Sequence, residues 1–290
     1  MNQRAHPWMP VSACGDGCLP PAGTVPASGR VRQLLRLVAV VVLLLIGTAL
    51  TVALPLLRPA GRTRALRAWS RALLRALRVR LEITGGDRFA ARGTGVLVVS
   101  NHVSWLDIVV LGAVQPLRMV AKAEVRGWPG IGLLARRTGT IFVHRERLST
   151  LPRTVAAMST ALVGGAAVGA FPEGTTWCGM VGGRFRPAVF QAAVETATPV
   201  RPVALRYRQA GAGTTTVAAF VGSATLCQAV VLLAGVRGLV VQVQLLPLLS
   251  ALGADRRTLA ARAGAAVAAA SVPLVSQPMP QTAVPALRVS

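Results

Sequence analysis

GVLVVSNHVSWLDIVVLGAVQ, Gly95 to Gln115, sets the fold. Its first third is an unbroken apolar run of mostly β-branched residues, the pattern of a buried strand. A short polar turn follows, and DIVVLGAVQ then reads as a helix. A buried strand that runs straight into a helix is half of a βα unit, and such units build sheets covered by helices. The turn carries His102 and Asp107, five positions apart, in a chain with three histidines and nine acidic residues. Histidine changes charge near neutral pH and can take a proton from a hydroxyl. A nearby carboxylate fixes its tautomer and stabilises the imidazolium that forms. The spacing alone also admits a plainer reading, with Asp107 capping the helix and His102 a satisfied polar group.

Outward from this segment the same alternation repeats. VRLEITG precedes it as a strand. RMVAKAEV is a strand and turn, WPGIGLLARRTG a short helix ended by glycine, and TIFVHR another strand. LSTLPRTVAAMSTALVGG is a helix, AAVGAFPEGTT a strand ending in a glycine turn, and FQAAVETATP a helix stopped by Pro199. VRPVALRYR, TVAAFVG and GLVVQVQLLPLL read as strands, and ADRRTLAARAGAAVAAA as the closing helix. The expected fold is α/β, a central mixed sheet flanked by helices, over residues 81–271.

The N-terminal part differs in kind. Residues 1–29 are rich in Pro, Gly and Ala and read as a flexible leader. Leu37 to Leu57 contains no charged residue and is long enough to cross a bilayer. The run starts late, is long for a signal sequence and ends in no A-x-A site, so residues 30–61 read as a retained transmembrane or anchor helix. In residues 62–80, Leu66, Trp69, Leu73 and Leu77 recur at helical spacing with arginines between them, the pattern of a basic amphipathic helix at a membrane interface. Arginines are denser after the apolar run than before it, which places the main domain on the cytoplasmic side of the cell membrane. Residues 272–290 read as a flexible tail.

The net charge of +23 calls for an anionic partner. The apolar run points to the anionic membrane surface. Nucleic acid is excluded, since neither zinc-finger spacing nor an RNA-binding signature is present. Cys14 and Cys18, in CGDGC near His6, do not make a good zinc pattern, and Cys178 and Cys227 read as isolated apolar residues. No metal is expected.

Three further segments carry candidate chemistry. In FPEGTT, Phe171 to Thr176, glycine allows close approach to a ligand, and the turn's N–H groups can bind an anion. Glu173 would hold an arginine or a substrate hydroxyl. Arg145, at the end of TIFVHR, suits bidentate phosphate recognition. Lys122, the sole lysine, also follows a strand. No G-x-S-x-G elbow is present, and Ser100 and Ser104 have no second histidine to serve them. The proton that His102 removes can therefore belong to the substrate.

Taken in order, these segments resemble the PlsC-type lysophospholipid acyltransferases, the 1-acylglycerol-3-phosphate O-acyltransferase family. NHVSWLD is similar to the family's N-H-x4-D block, KAEVRGWPGIG to its K-x-E segment and GTIFVHR to its arginine block. FPEGTT resembles the F-P-E-G-T block and TPVRPVAL the later proline block. The similarity covers roughly Leu81 to Ala270. It implies that His102, oriented by Asp107, activates the free hydroxyl of a lysophospholipid. That oxygen then attacks the thioester of acyl-CoA or acyl carrier protein, with no further cofactor. Arg145, Glu173, Gly174 and Thr175, with Lys122, would bind the acceptor, and Pro202 and Val203 would line the acyl region. His144 departs from the residues commoner before the block arginine, and Arg184 and Arg186 could add acceptor contacts. Lysophosphatidic acid is the leading acceptor, giving phosphatidic acid in phospholipid biosynthesis. Another lyso-lipid, such as lyso-ornithine lipid, is the alternative. A non-catalytic basic membrane-binding protein is the alternative of a different class.

Overall fold

The computed structural model describes residues 10–21, 23–211 and 213–271. The first nine residues, with His6, and the tail after Ser271 lie outside them.

The apolar run after Gly95 forms β2 (Val96–Ser100), every residue of it buried. Its pleat sends Val96 and Val98 to one face of the sheet and Leu97 and Val99 to the other, into two separate cores. Burial on both faces explains why the run shows no polar alternation. β2 pairs in parallel with β5 (Ala167–Ala170) on one side and β6 (Val200–Gln209) on the other. Beyond β5 come β3 (Arg118–Lys122) and β4 (Ile141–Val143), both parallel. Beyond β6 comes β8 (Leu239–Leu245), antiparallel to it, and then β1 (Arg80–Thr84), parallel to β8. A two-residue strand, β7 (Gly213–Thr214), pairs with β6 outside this path. The sheet is thus mixed, in the order β1-β8-β6-β2-β5-β3-β4.

One face carries α1 (Arg30–Ala53), α2 (Pro59–Ala76), α3 (Leu106–Val114) and α7 (Leu226–Gly235), whose buried residues share a core with Val96 and Val98. The other carries α5 (Leu151–Val163), α6 (Phe190–Glu195) and α8 (Arg256–Ser271), around Leu97 and Val99. A short helix, α4 (Ile131–Arg137), follows β3.

Several expectations need correction. TVAAFVG is not a strand: Val217, Ala218, Ala219 and Val221 are buried in an irregular segment that the Phe220 N–H ties to the Val103 carbonyl. The strand-like apolar pattern there reflects burial alone. LCQAVVLLAG, left unassigned in the sequence, is α7, started by a Thr225–Gln228 capping box. The amphipathic helix α2 does not keep its apolar face for the membrane. Leu73, Leu74 and Leu77 are buried in the protein's own core, and Arg67 and Arg71 donate to the Ala113 carbonyl on α3. Periodicity marks an apolar face but not what that face meets.

The anchor segment also ends early. α1 stops at Ala53, a short 3-10 turn, Leu54–Leu56, carries Pro55, and α2 begins at Pro59. α1 is long and apolar enough to cross a membrane, yet it lies against the domain. Gln33 donates to the Val231 carbonyl and Arg36 to those of Ala234 and Val236. The Trp69 indole donates to the Leu43 carbonyl and packs on Gly47, where a Cβ would collide with the ring. The opposite side of α1 is bare, with Leu34, Val38, Val41, Leu45 and Val52 all more than half exposed. The leader is likewise not free from residue 10 onward. Cys14, Cys18, Leu19 and Val25 pack on the core, and Ala27 bridges Val236. Small apolar residues in a Pro-rich segment can dock without forming regular structure.

Candidate active site

The C-terminal ends of the parallel strands share one edge of the sheet, the usual place for a ligand in open α/β sheets. β2 delivers His102 there, β5 the FPEGTT loop, β3 Lys122 and β4 the loop with Arg145.

Within NHVSWLD the chain turns back on itself around Asp107, which is fully buried in the first turn of α3. Its Oδ2 accepts from the Val103 and Ser104 N–H groups at 2.7 and 2.9 Å and pairs with His102 Nδ1 at 2.8 Å. Its Oδ1 accepts from the Tyr207 hydroxyl at 2.5 Å. Four donors thus compensate a carboxylate taken out of water. Because the carboxylate only accepts, His102 Nδ1 carries the proton, and Nε2 is left for a ligand. The imidazole stacks on the Phe171 ring, centroids 3.9 Å apart and planes within 5°. Asp107 therefore does more than cap its helix: it fixes both the tautomer and the tilt of His102.

Neither neighbouring serine is poised as a nucleophile. Ser100 Oγ donates to Asn101, and Ser104 Oγ accepts from the Leu106 N–H. The Asn101 side chain in turn bonds both the N–H and the carbonyl of Leu205. That pair of bonds locks the turn to β6.

Glu173 is placed differently from the expectation. It is buried, and its two oxygens accept from the His102 N–H at 2.7 Å and the Gly183 N–H at 2.9 Å. Burial pushes its carboxyl up to about 7, against the pull of those two N–H bonds. Each oxygen is thus engaged by one backbone N–H, so Glu173 braces the histidine turn against its own loop, and it also stands in the wall of the cavity at His102. Gly174 has φ +79, a conformation that favours glycine, and a Cβ there would strike Pro10 of the N-terminal segment. Thr175 is half-buried beside it, and Thr176 bonds the Phe220 carbonyl.

A cavity of about 170 Å³ opens at His102, walled by Asn101, Glu173, Trp177, the glycine-rich 179–183 stretch and α8 residues Gly264, Val267 and Ala268. The cationic candidates stand apart from it. Lys122 is half-buried with its Nζ 5.7 Å from the centroid of the Trp128 ring, and Arg145 is exposed on the loop after β4, where crowding by neighbouring groups lowers its guanidinium pKa and Glu124 opposes that. His144 and Arg184 are exposed too, while Arg186 is half-buried near Gly174. Pro202 and Val203, expected at the acyl region, are buried in β6 beside β2, and Val203 has no exposed surface. They form the floor under the site and do not line its cavity.

Two residues escaped the sequence reading. Tyr207 is the only tyrosine of the chain and is wholly buried. Its burial first, then the Asp107 charge, push its phenol well above the ordinary range, so it stays a donor. Its rarity was the one available signal. Trp177 lines the cavity with a buried Nε1 that has no partner among the described residues, a donor that a ligand oxygen could satisfy.

The chain's likenesses agree with this geometry. The Acyltransferase family model matches residues 80–206. A lyso-ornithine lipid O-acyltransferase of Pseudomonas aeruginosa is 38% identical over 208 residues, 71% of this chain and 78% of that protein. A 1-acyl-sn-glycerol-3-phosphate acyltransferase of Neisseria gonorrhoeae is 38% identical over 149 residues, 51% of this chain and 58% of its own length. The chain therefore spans little more than half of that relative. Among solved structures, the 1-acyl-sn-glycerophosphate acyltransferase PlsC of Thermotoga maritima superposes with a TM-score of 0.65 at 18% identity, over 83% of this chain and 93% of that one. That last likeness concerns the fold.

Proposed function

The chain belongs to the acyltransferase family, and on that premise we propose that it transfers an acyl chain from acyl-CoA or acyl carrier protein to the free hydroxyl of a lyso-lipid. The observation that carries this reading is the His102–Asp107 pair, held at 2.8 Å at the mouth of a cavity, with no activated serine beside it. His102 Nε2 takes the acceptor's hydroxyl proton as its oxygen attacks the thioester carbonyl. The carbon–sulfur bond then breaks, and the departing thiolate recovers the proton from His102. Asp107 stabilises the imidazolium between the two steps. An acyl-enzyme plays no part.

Lysophosphatidic acid is the first acceptor to test, with Arg145 as its phosphate ligand and Lys122 beside it on the same sheet edge. A second reading, lyso-ornithine lipid, rests on the longer match to the Pseudomonas relative, which extends over 208 residues against 149 for the Neisseria one. Both acceptors are membrane lipids. The bare side of α1 is the surface suited to an apolar leaflet, and the arginines of α2 and its flanks suit anionic headgroups, at about 1 kcal/mol each. The domain would then work at the cytoplasmic face.

The test is acyl transfer by the full chain in membranes, with labelled acyl-CoA and acyl carrier protein and both acceptors side by side. Transfer to lysophosphatidic acid that disappears in His102→Ala supports the leading reading. Transfer only to lyso-ornithine lipid moves the acceptor and keeps the mechanism. A folded protein that acylates neither, with either donor, would turn the reading to another acceptor or to the binding role that its charge and apolar helix allow.

A further inference from the structure

Three of the four cysteines meet in space. Cys14 and Cys18 come from the N-terminal segment, on either side of a short turn at Asp16, and Cys178 from the loop that follows β5. Cys178 lies 164 positions from Cys14. All three sulfurs fall within 4.8 Å of one another. A tetrahedral ion bound to sulfur at about 2.3 Å holds its ligands about 3.8 Å apart, so the group closes around one by shifts of about 1 Å or less.

The surroundings suit thiolates bound to metal. The Cys178 N–H points at Cys14 Sγ, 3.3 Å away, a bond of the kind that orients metal-bound ligands. Cys178 is buried, and Cys14 and Cys18 are half-buried against the core, so the trio sits at the protein surface with one side open to water. A disulfide would consume two sulfurs and strand the third beside it. Cys14 and Cys18 alone made a poor zinc pattern, and the third thiol from a distant loop changes that, since Cys-x3-Cys with a remote further ligand is within the spacing of zinc sites. From the sequence only the first two ligands were adjacent, and two thiols alone do not hold an ion.

We infer that Cys14, Cys18 and Cys178 form a trithiolate site for a soft divalent metal ion of the zinc class, with the fourth position left to water. The site ties the N-terminal segment to the loop of Gly174 and Trp177. Its consequence is geometric: with Cys14 pinned, Pro10 is held over Gly174 of the FPEGTT loop. The proposal stands whether or not the acyl transfer reading does.

The experiment measures metal in the untagged full chain, purified in detergent from cells grown with added zinc. Elemental mass spectrometry should find one zinc per chain, released when the thiols are blocked. Replacing zinc by Co²⁺ should give the sulfur-to-cobalt charge-transfer band and tetrahedral d–d bands. Cys178→Ser and the Cys14→Ser/Cys18→Ser pair should lower the bound zinc by about tenfold or more, while Cys227→Ser, exposed on α7, leaves it unchanged. Chelation of the wild type should open the 10–21 segment to limited proteolysis. Wild-type protein without zinc, in which Cys14, Cys18 and Cys178 are all free thiols, would overturn the proposal without recourse to any variant. So would a disulfide between two of the three, seen in unreduced peptides.

Discussion

Two stretches of one sheet edge are built in opposite ways. At the ends of β2 and β5 the side chains of His102, Asp107 and Glu173 have fixed partners, most of them backbone N–H groups. At the ends of β3 and β4, Lys122 is half-buried over a tryptophan ring and Arg145 is exposed. The first arrangement suits proton transfer, which tolerates little error in direction. The second suits recognition of a charged headgroup, since its cations stand clear of the His102 cavity at the same edge of the sheet. The difference implies that substitutions at β2 and β5 act on turnover and those at β3 and β4 on affinity.

The largest effect is expected at the proton-transfer end. His102→Ala should lower kcat by about 10²-fold or more, with KM little changed. A comparable rise in KM alone would break the division, since His102 would then be a binding group.

Next in size is a stability effect of the brace. The Glu173 carboxyl sits at about 7 in the folded chain, above its ordinary 4.5. Between those values the folded chain keeps a proton that the unfolded chain has lost. The stabilisation from this group is therefore full below pH 4.5 and is lost as pH rises through about 7. The whole swing is at most about 3 kcal/mol. Denaturation of wild type and Glu173→Gln across that range should show a downward slope in the first and a flatter line in the second. Equal slopes would place the titration elsewhere.

Tyr207→Phe follows. It leaves Asp107 Oδ1 buried without its donor, at a cost of about 2 kcal/mol in stability. Turnover should fall about tenfold through a looser His102, with KM kept. An unchanged kcat in a destabilised protein would reduce Tyr207 to a packing residue.

Tyr207 also marks how far the sequence could be read. His102 and Asp107 were legible because the turn that joins them is local, five residues from end to end. β2 and its helix were legible because an unbroken apolar run has few other uses. Tyr207 lies 100 positions from Asp107 and Cys178 lies 164 from Cys14, and no local pattern joins either pair. Glu173 was legible but its backbone partners were not, since a carboxylate beside a glycine turn looks the same whether it faces ligand or backbone. The same blindness affected α2, whose apolar stripe was plain while its packing against α3 was not.

The smallest predicted effect tests the recognition end. Arg145→Ala removes one charged contact at an exposed site, so KM for lysophosphatidic acid should rise about tenfold, equivalent to about 1.4 kcal/mol, with kcat kept. Lyso-ornithine lipid carries a carboxylate and an ammonium group but no phosphate. If Arg145 reads phosphate, its removal should weaken the first acceptor and spare the second, and Arg145→Lys should restore only part of the loss, because a lysine cannot make the bidentate fork. An equal loss with both acceptors would mean that Arg145 acts on the membrane surface or the donor. A fall in kcat would carry the rigid geometry of β2 and β5 out to β4, and the contrast between the two ends would fail.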